Sequence, residues 1–226
     1  MNSRLEPSLF GGRYYVLTQL RKHMKAIAAD RLSGNRGCLV VDFGCGEMPY
    51  RSIFETPSTR YIGIDFESNP AADLHPLVTG AVPLGDGVAD VVLSTQVLEH
   101  VPDPRLYLQE SLRLLKQDGL LILSTHGNWM YHPHPIDLWR WTGAGLRNIL
   151  ETSGYKVIDC KGIMGLASSG AHLFQDGLMR RLPGFARPAL SLLAHPVIAL
   201  SDALASDRER QNDAAVFVVV AEKVVG

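Results

Sequence analysis

The sequence predicts an α/β protein built on a doubly wound, mostly parallel sheet with helices on both faces. Three observations predict it. Short apolar runs at 38–43, 61–64 and 89–93 lack polar alternation, the mark of strands buried on both faces. Segments with apolar residues at helical spacing alternate with such runs, which calls for parallel neighbours joined by right-handed crossovers. The runs also lead into polar punctuation, a glycine turn at Gly44, then Asp65 and Ser94, at the strand ends where such a sheet binds its ligand. A chain of 226 residues suits one domain of this kind with an elaboration.

The elements follow in order. In 13–32, Val16, Leu17, Leu20, Met24 and Ile27 recur at helical spacing with Arg21, Lys22 and Lys25 between them, and Ser33-Gly34 is a stop signal. The three strands come next. Leu106, Leu108, Leu112 and Leu115 mark a helix over 104–116, ended by Gly119, and 120–123 is a fourth strand. Thr142 suits the N-cap and Gly154 the C-cap of a helix over 144–151, ahead of a fifth, central strand at 157–163. Residues 165–213 form a long, partly helical insertion before a last strand at 215–221; an insertion of about 50 residues is usually functional. The expected division is therefore a helical cap (1–37), a core (38–164), a helical insertion (165–213) and the last strand (214–226).

Composition narrows the function. Twenty-two Lys plus Arg against 23 Asp plus Glu, with no basic run, leave nothing to neutralise a stretch of phosphates, so a nucleic-acid partner is not expected. Cys38, Cys45 and Cys160 are odd in number and form no C-x-x-C pair, which indicates neither a disulfide framework nor a cysteine zinc site and suits a reducing compartment. Glu6 and Pro7 fall where a secretory leader needs an apolar run, and no apolar stretch reaches spanning length, so a cytoplasmic location is expected.

The chemistry begins at Val41-Asp42-Phe43-Gly44-Cys45-Gly46-Glu47-Met48-Pro49. Gly44 and Gly46 permit a tight turn and close backbone approach. The third glycine of a dinucleotide fingerprint is replaced by Pro49, and the carboxylates Asp42 and Glu47 would repel a pyrophosphate, which disfavours a nicotinamide oxidoreductase. They suit a ligand carrying an ammonium and a sulfonium. Asp65 closes the next strand about 20 residues on, where a carboxylate can accept from both ribose hydroxyls.

These segments resemble the class I S-adenosylmethionine-dependent methyltransferases, in particular their type 11 group. The glycine turn looks like their first motif, Tyr61-Ile62-Gly63-Ile64-Asp65 like their second-strand motif, the stretch from Asp90 through Gln96 to Val101 like their fourth-strand motif, and Gly119-Leu120-Leu121-Ile122-Leu123-Ser124 like their fifth strand. The resemblance implies a Rossmann-like, seven-stranded sheet and S-adenosyl-L-methionine as cofactor. Asp42, Gly44, Cys45 and Gly46 would then meet its methionine part, Asp65 with Phe66 the ribose, Asp73 with Leu74 the adenine edge, and Thr95 with Gln96 the floor of the pocket. His100 is read as structural.

Residues 124–142 hold three of the eight histidines and all three tryptophans, after a strand's carboxyl end where substrates enter. Aromatic rings with a few polar groups suit a sugar or another ring-bearing acceptor, and a histidine suits a general base for a hydroxyl. His134, held between Pro133 and Pro135 and followed by Asp137 to orient it, is the expected base, with His126 second. His132, Trp139, Arg140, Trp141 and, from the insertion, His172 are expected to meet the acceptor. No metal site is expected, because His126, His132 and His134 match no standard zinc spacing. The loop loosely resembles that of methyltransferases from bacterial polysaccharide and natural-product clusters, which implies O-methylation of a hydroxylated small molecule. The alternative is a cofactor-binding regulatory partner without turnover. Within the insertion, His195, Pro196, Ser201 and Asp202 interrupt the apolar stretch 189–205 and Arg180, Arg181 and Arg187 precede it. A lid or a homodimer helix is expected there ahead of membrane contact.

Overall fold

The computed structural model describes residues 4–32, 37–77, 79–134 and 136–224. The stop signal Ser33-Gly34 and the stiffening Pro135 lie outside them. Helix α1 (Tyr14–Leu32) leads into β1 (Cys38–Phe43), the short α2 (Arg51–Phe54), β2 (Thr59–Ile64), β3 (Ala89–Thr95), α3 (Pro104–Leu114), β4 (Leu115–His126), α4 (Gly143–Thr152) and β5 (Tyr155–Ile163). The insertion forms α5 (Leu166–Met179), a 3-10 turn (Gly184–Ala186), α6 (Arg187–Leu204) and α7 (Asp207–Asn212) before β6 (Val216–Lys223).

The strands make one sheet in the order β2-β1-β3-β4-β6-β5, with β6 antiparallel to both neighbours. Six strands are found among the described residues where seven were expected. The segment after β2 is broken by Pro70, Pro76 and Pro83, which donate no backbone N–H, and it contributes only an isolated bridge between Ile64 and Leu74. β5 is an edge strand and not the central one expected. Its Lys156, Ile158 and Lys161 reach solvent, whereas β6, with Phe217, Val218, Val219, Val220 and Ala221 all buried, has the uninterrupted apolar pattern an interior strand requires. The third helix stops at Leu114, because Leu115 already pairs with Ala89 and residues 116–119 bulge out before Leu120 pairs with Val91.

The caps match their sequence signals. Asp103 accepts from Arg105 and Leu106 amides at the start of α3, Thr142 accepts from the Gly145 amide at the start of α4, and Gly154 has φ +94° just past its end. Alternate strand residues divide the core. Val41, Phe43, Leu121, Leu123 and Phe217 pack on the side of α3 and α4; Val40, Leu93, Ile122, Val216 and Val218 pack on the side of α1 and Ile198 of α6. The parallel strands thereby end together on one rim.

Phe217 of β6 is fully buried against the side of α3 and α4. Phe217→Ala should cost about 3–5 kcal/mol by leaving a cavity, whereas Leu193→Ala at an exposed site should stay within about 0.5 kcal/mol; urea unfolding midpoints at constant slope check both.

Candidate active site

At the end of β1 the amides of Gly44 and Cys45 both donate to the Ile64 carbonyl, at 2.8 and 3.0 Å. Gly44 has φ +82°, and a Cβ there would lie 2.6 Å from Val97, so the position excludes side chains twice over. Gly46 has φ +53° but open space where its Cβ would be, the side from which a ligand can reach its backbone. Met48, also at positive φ, donates its amide to the Cys45 carbonyl at 2.8 Å and closes the turn one residue before Pro49.

Asp65 ties this turn to β2. One carboxylate oxygen accepts from the Gly46 amide (2.8 Å) and from Asn69 (2.9 Å), the other from the Phe66 amide (2.8 Å). With about four acceptor sites on a carboxylate, these bonds leave room for one new donor, and a ribose diol would displace the Asn69 amide to gain a second. Asp42, by contrast, is wholly buried. It accepts a hydrogen bond from the Tyr61 hydroxyl, its other oxygen has no partner among the described residues, and burial pushes its carboxyl up to about 7. An orphaned buried oxygen beside an open glycine turn fits a ligand that brings its own ammonium. The Cys45 thiol is pushed up to about 12 by burial and neighbouring carboxylates, so its part is neutral packing.

The remaining cofactor candidates line the same rim with different engagements. Gln96, at φ +59°, donates its amide to the Ser124 carbonyl and its side chain to the Ser124 hydroxyl; Thr95 before it is buried, and Phe66 is exposed. Asp73 accepts from the Gly63 amide at 2.8 Å and lies 3.8 Å from Arg51, so its carboxylate secures the edge of β2. Leu74 beside it makes the single bridge to Ile64.

The loop after β4 is organised by a residue that the sequence reading passed over. Glu99 is fully buried, accepts from the Thr125 hydroxyl at 2.8 Å, and sits 2.7 Å from His126 Nδ1, though off the line of an ideal ring N–H bond. Its carbonyl accepts from the Leu138 and Trp139 amides. Burial opposes its charge, but His126 and the hydrogen bonds outweigh it and hold the carboxyl below its usual range. Burial likewise lowers His126, with Glu99 opposing, so the pair is a carboxylate against a neutral imidazole. A carboxylate directly after the apolar run 97–98 was the available signal.

His126 stacks on Trp129 at 4.7 Å and meets His132 edge-on at 4.6 Å, while Trp129 packs against His172 at 4.8 Å. Asp137 pairs with His132 and not with His134. It accepts from the His132 amide at 2.9 Å, lies 3.3 Å from that ring, and takes two bonds from Arg140, which hold its carboxyl well below the usual range. His134 is exposed, 6.5 Å from the His132 ring, so the expected orientation of His134 by Asp137 is not found. Burial pushes His132 down to about 4. Trp139 and Trp141 stack on each other, and Trp139 donates to the Val101 carbonyl, so both secure the loop. His100 does the same through the Ile136 carbonyl.

Glu99, His100 and His132 bring ligand atoms within 4.8 Å of one another. Ligands about 2.1 Å from a tetrahedral ion would stand about 3.4 Å apart, and each side chain is engaged elsewhere, Glu99 with Thr125, His100 with the Ile136 carbonyl and His132 beside Asp137. A cavity of about 350 Å³ lies between this loop and α5, lined by Gly127, Asn128, Trp129, Arg140, Leu166 and Leu173 among others. Another, of about 320 Å³, lies by β5 and α7 and shares no lining residue with it.

Known proteins match this arrangement. Residues 15–159 match the family described as a methyltransferase domain. A protein of Mycolicibacterium smegmatis named "Probable S-adenosylmethionine-dependent methyltransferase" is 29% identical over 150 residues, 58% of each chain. The chain spans about half the length of the curated relatives it matches, 58% of that one and 46% of another. Among solved structures, an S-adenosylmethionine-dependent methyltransferase of Mesorhizobium loti has a TM-score of 0.59 at 15% identity, covering 97% of this chain and all of its own. The 1,6-didemethyltoxoflavin N1-methyltransferase of Burkholderia thailandensis, solved with that compound and S-adenosylhomocysteine, has 0.56 at 18%, covering 90% and 78%. At such identities the structures establish the shared Rossmann-like fold, and the family match covers well over half of the sequence: the chain belongs to the methyltransferase-domain family.

Proposed function

We propose that this protein transfers the methyl group of S-adenosylmethionine to a hydroxyl oxygen of a small, ring-bearing acceptor, with His126 receiving the acceptor's proton. The observation that carries the proposal is the placement of His126. It ends β4, two residues beyond the Ser124 that Gln96 grips, so an imidazole and the cofactor rim share one edge of the sheet. Its ring is aligned by Glu99 and stacked on Trp129, and that tryptophan also walls the cavity beneath α5. A base held by a buried carboxylate beside an aromatic wall is the arrangement general-base catalysis needs.

The cofactor brings an electrophilic methyl group on a sulfonium. This chain's residues do the rest. Asp65 would take the ribose hydroxyls, the Gly44–Gly46 turn would admit the methionine backbone, and the unpartnered oxygen of Asp42 would answer its ammonium. Trp129 and Arg140 place the acceptor in the cavity they share with α5. The Burkholderia relative in fold acts on a ring compound, which supports a small-molecule acceptor here.

Asp65→Ala should cost about 1.5–3 kcal/mol of affinity for S-adenosylhomocysteine, the scale of lost charge-assisted hydrogen bonds. Gly46→Val should weaken binding by about tenfold or more while the melting curve shows a folded protein, since its Cβ meets open space but its branch blocks backbone approach. Calorimetry checks both, and unchanged affinity in either would remove that residue from the site.

Labelled cofactor and mass-spectrometric screening of hydroxylated and amine acceptors identify the product as a gain of one methyl group. On such an acceptor, His126→Ala should lower kcat by about 10² or more with cofactor affinity unchanged, and His134→Ala should not. Because burial holds His126 below its ordinary value near 6.5, kcat/KM should be flat above pH 7 and fall only as pH drops below about 6.5, where the imidazole gains its proton. Full activity of the His126 variant would exclude it as the base.

A further inference from the structure

The helical insertion has its polarity reversed. On α6 the buried positions are Ser191, His195, Ile198 and Asp202, and the exposed ones two residues on are Leu193, Val197, Leu200 and Leu204, so both stripes follow helical spacing on opposite faces. Of the four interruptions expected from the sequence, Pro196 is exposed and Ser201 half-buried, its hydroxyl bonded back to the Val197 carbonyl. His195 and Asp202 turn inward with Ser191: Ser191 donates to the Phe10 carbonyl, His195 lies 3.2 Å from the Gly11 carbonyl, and Asp202 accepts from the Tyr15 hydroxyl and the Gly165 amide. Solvent receives Leu193 at 72% exposure and Leu204 at 80%. Phe174 on α5 and Phe10 beside Ser191 widen this apolar surface. Phe185, 87% exposed, projects from the Pro183-Gly184 turn between α5 and α6.

We propose that the outer face of α5, the Phe185 turn and α6 docks on the surface of an anionic lipid bilayer, with Phe185 and the α6 leucines entering the headgroup boundary. Charge decides the occupant. Residues 164–206 carry only two carboxylates, Asp176 and Asp202, each 8% exposed and turned inward, while Arg180, Arg181 and Arg187 are all exposed around Phe185. An aromatic tip ringed by arginines beside an apolar stripe without anions is the composition of an interfacial element. A second copy of the chain would bring a like-charged cluster around Phe185, and the next exposed carboxylate along the chain, Asp207 past the far end of α6, is already paired with Arg210. No helix among the described residues is long and apolar enough to cross a membrane, so the contact is with the surface. Leu166 and Leu173 belong both to the exposed set and to the lining of the 350 Å³ cavity, so docking sets that cavity beside the lipid. Delivery of an amphiphilic acceptor through it rests on the proposed methyl transfer; the docking itself does not.

The test is co-sedimentation of the full chain with mixed phosphatidylcholine–phosphatidylglycerol vesicles, with phosphatidylcholine alone as the comparison. The expected result is binding to the anionic vesicles that weakens as salt screens the arginines. Phe185→Ser with Leu193→Ser, and separately Arg180→Glu with Arg181→Glu, should each reduce the bound fraction about tenfold with unchanged melting curves and unchanged S-adenosylhomocysteine affinity. No sedimentation with anionic vesicles, or binding that these variants leave intact, overturns the proposal. So does light scattering that shows a dimer dissolved by Leu193→Ser in a protein that ignores vesicles, which would assign the face to a second copy.

Discussion

The loop after β4 hangs on one buried anion. Glu99 has no solvent to stabilise its charge, so the chain has to supply donors, and the donors it supplies are the residues that build the site. Its side chain fixes Thr125 and His126 at the end of β4, and its carbonyl fixes Leu138 and Trp139 where the loop returns. A carboxylate removed from water is costly unless paired in this way. The same need that makes Glu99 expensive makes the loop definite, because alternative loop conformations would leave the charge unanswered.

The cofactor side obeys a different rule. There the carboxylate at the centre, Asp65, is only half-buried, and of its partners, two backbone amides and one asparagine side chain, the last is exchangeable for a ligand hydroxyl. One half of the crevice is thus rigid by desolvation and the other adaptable by hydration. They meet at Gln96 and Ser124, where a residue in left-handed conformation joins β3 to β4 through both main chain and side chain.

Much of this was legible in the sequence, for identifiable reasons. The glycine turn and Asp65 could be read because steric exclusion and carboxylate placement leave marks at fixed spacing, and the strands because burial on both faces removes polar alternation. Strand order among the last elements was less legible. Whether β5 or β6 takes the interior position depends on which is apolar on both faces, and the exposed Lys156 and Lys161 of β5 are weaker signals than a turn motif. The partner of Asp137 was hidden for a clearer reason. His134 was favoured from its neighbours in sequence, but Asp137 reaches back five residues to His132, and the carboxylate that orients His126 comes from another strand's end, a pairing that no local pattern records. The inverted polarity of α6 was hidden because a helical wheel reveals two faces without revealing which one the protein covers.

The antiparallel seat of β6 between β4 and β5 has a consequence in time. Until residues 216–223 leave the ribosome, β4 and β5 have no partner on their facing edges, and the amides of Gly127 and Asn128 lack the Ala215 and Ala214 carbonyls that anchor the start of the acceptor loop. Until then the nascent chain carries open strand edges at β4 and β5, edges of the kind that recruit foreign strands. Anchoring of the loop and closure of the sheet are a single event, so a chain that stops short of this strand would lose both together.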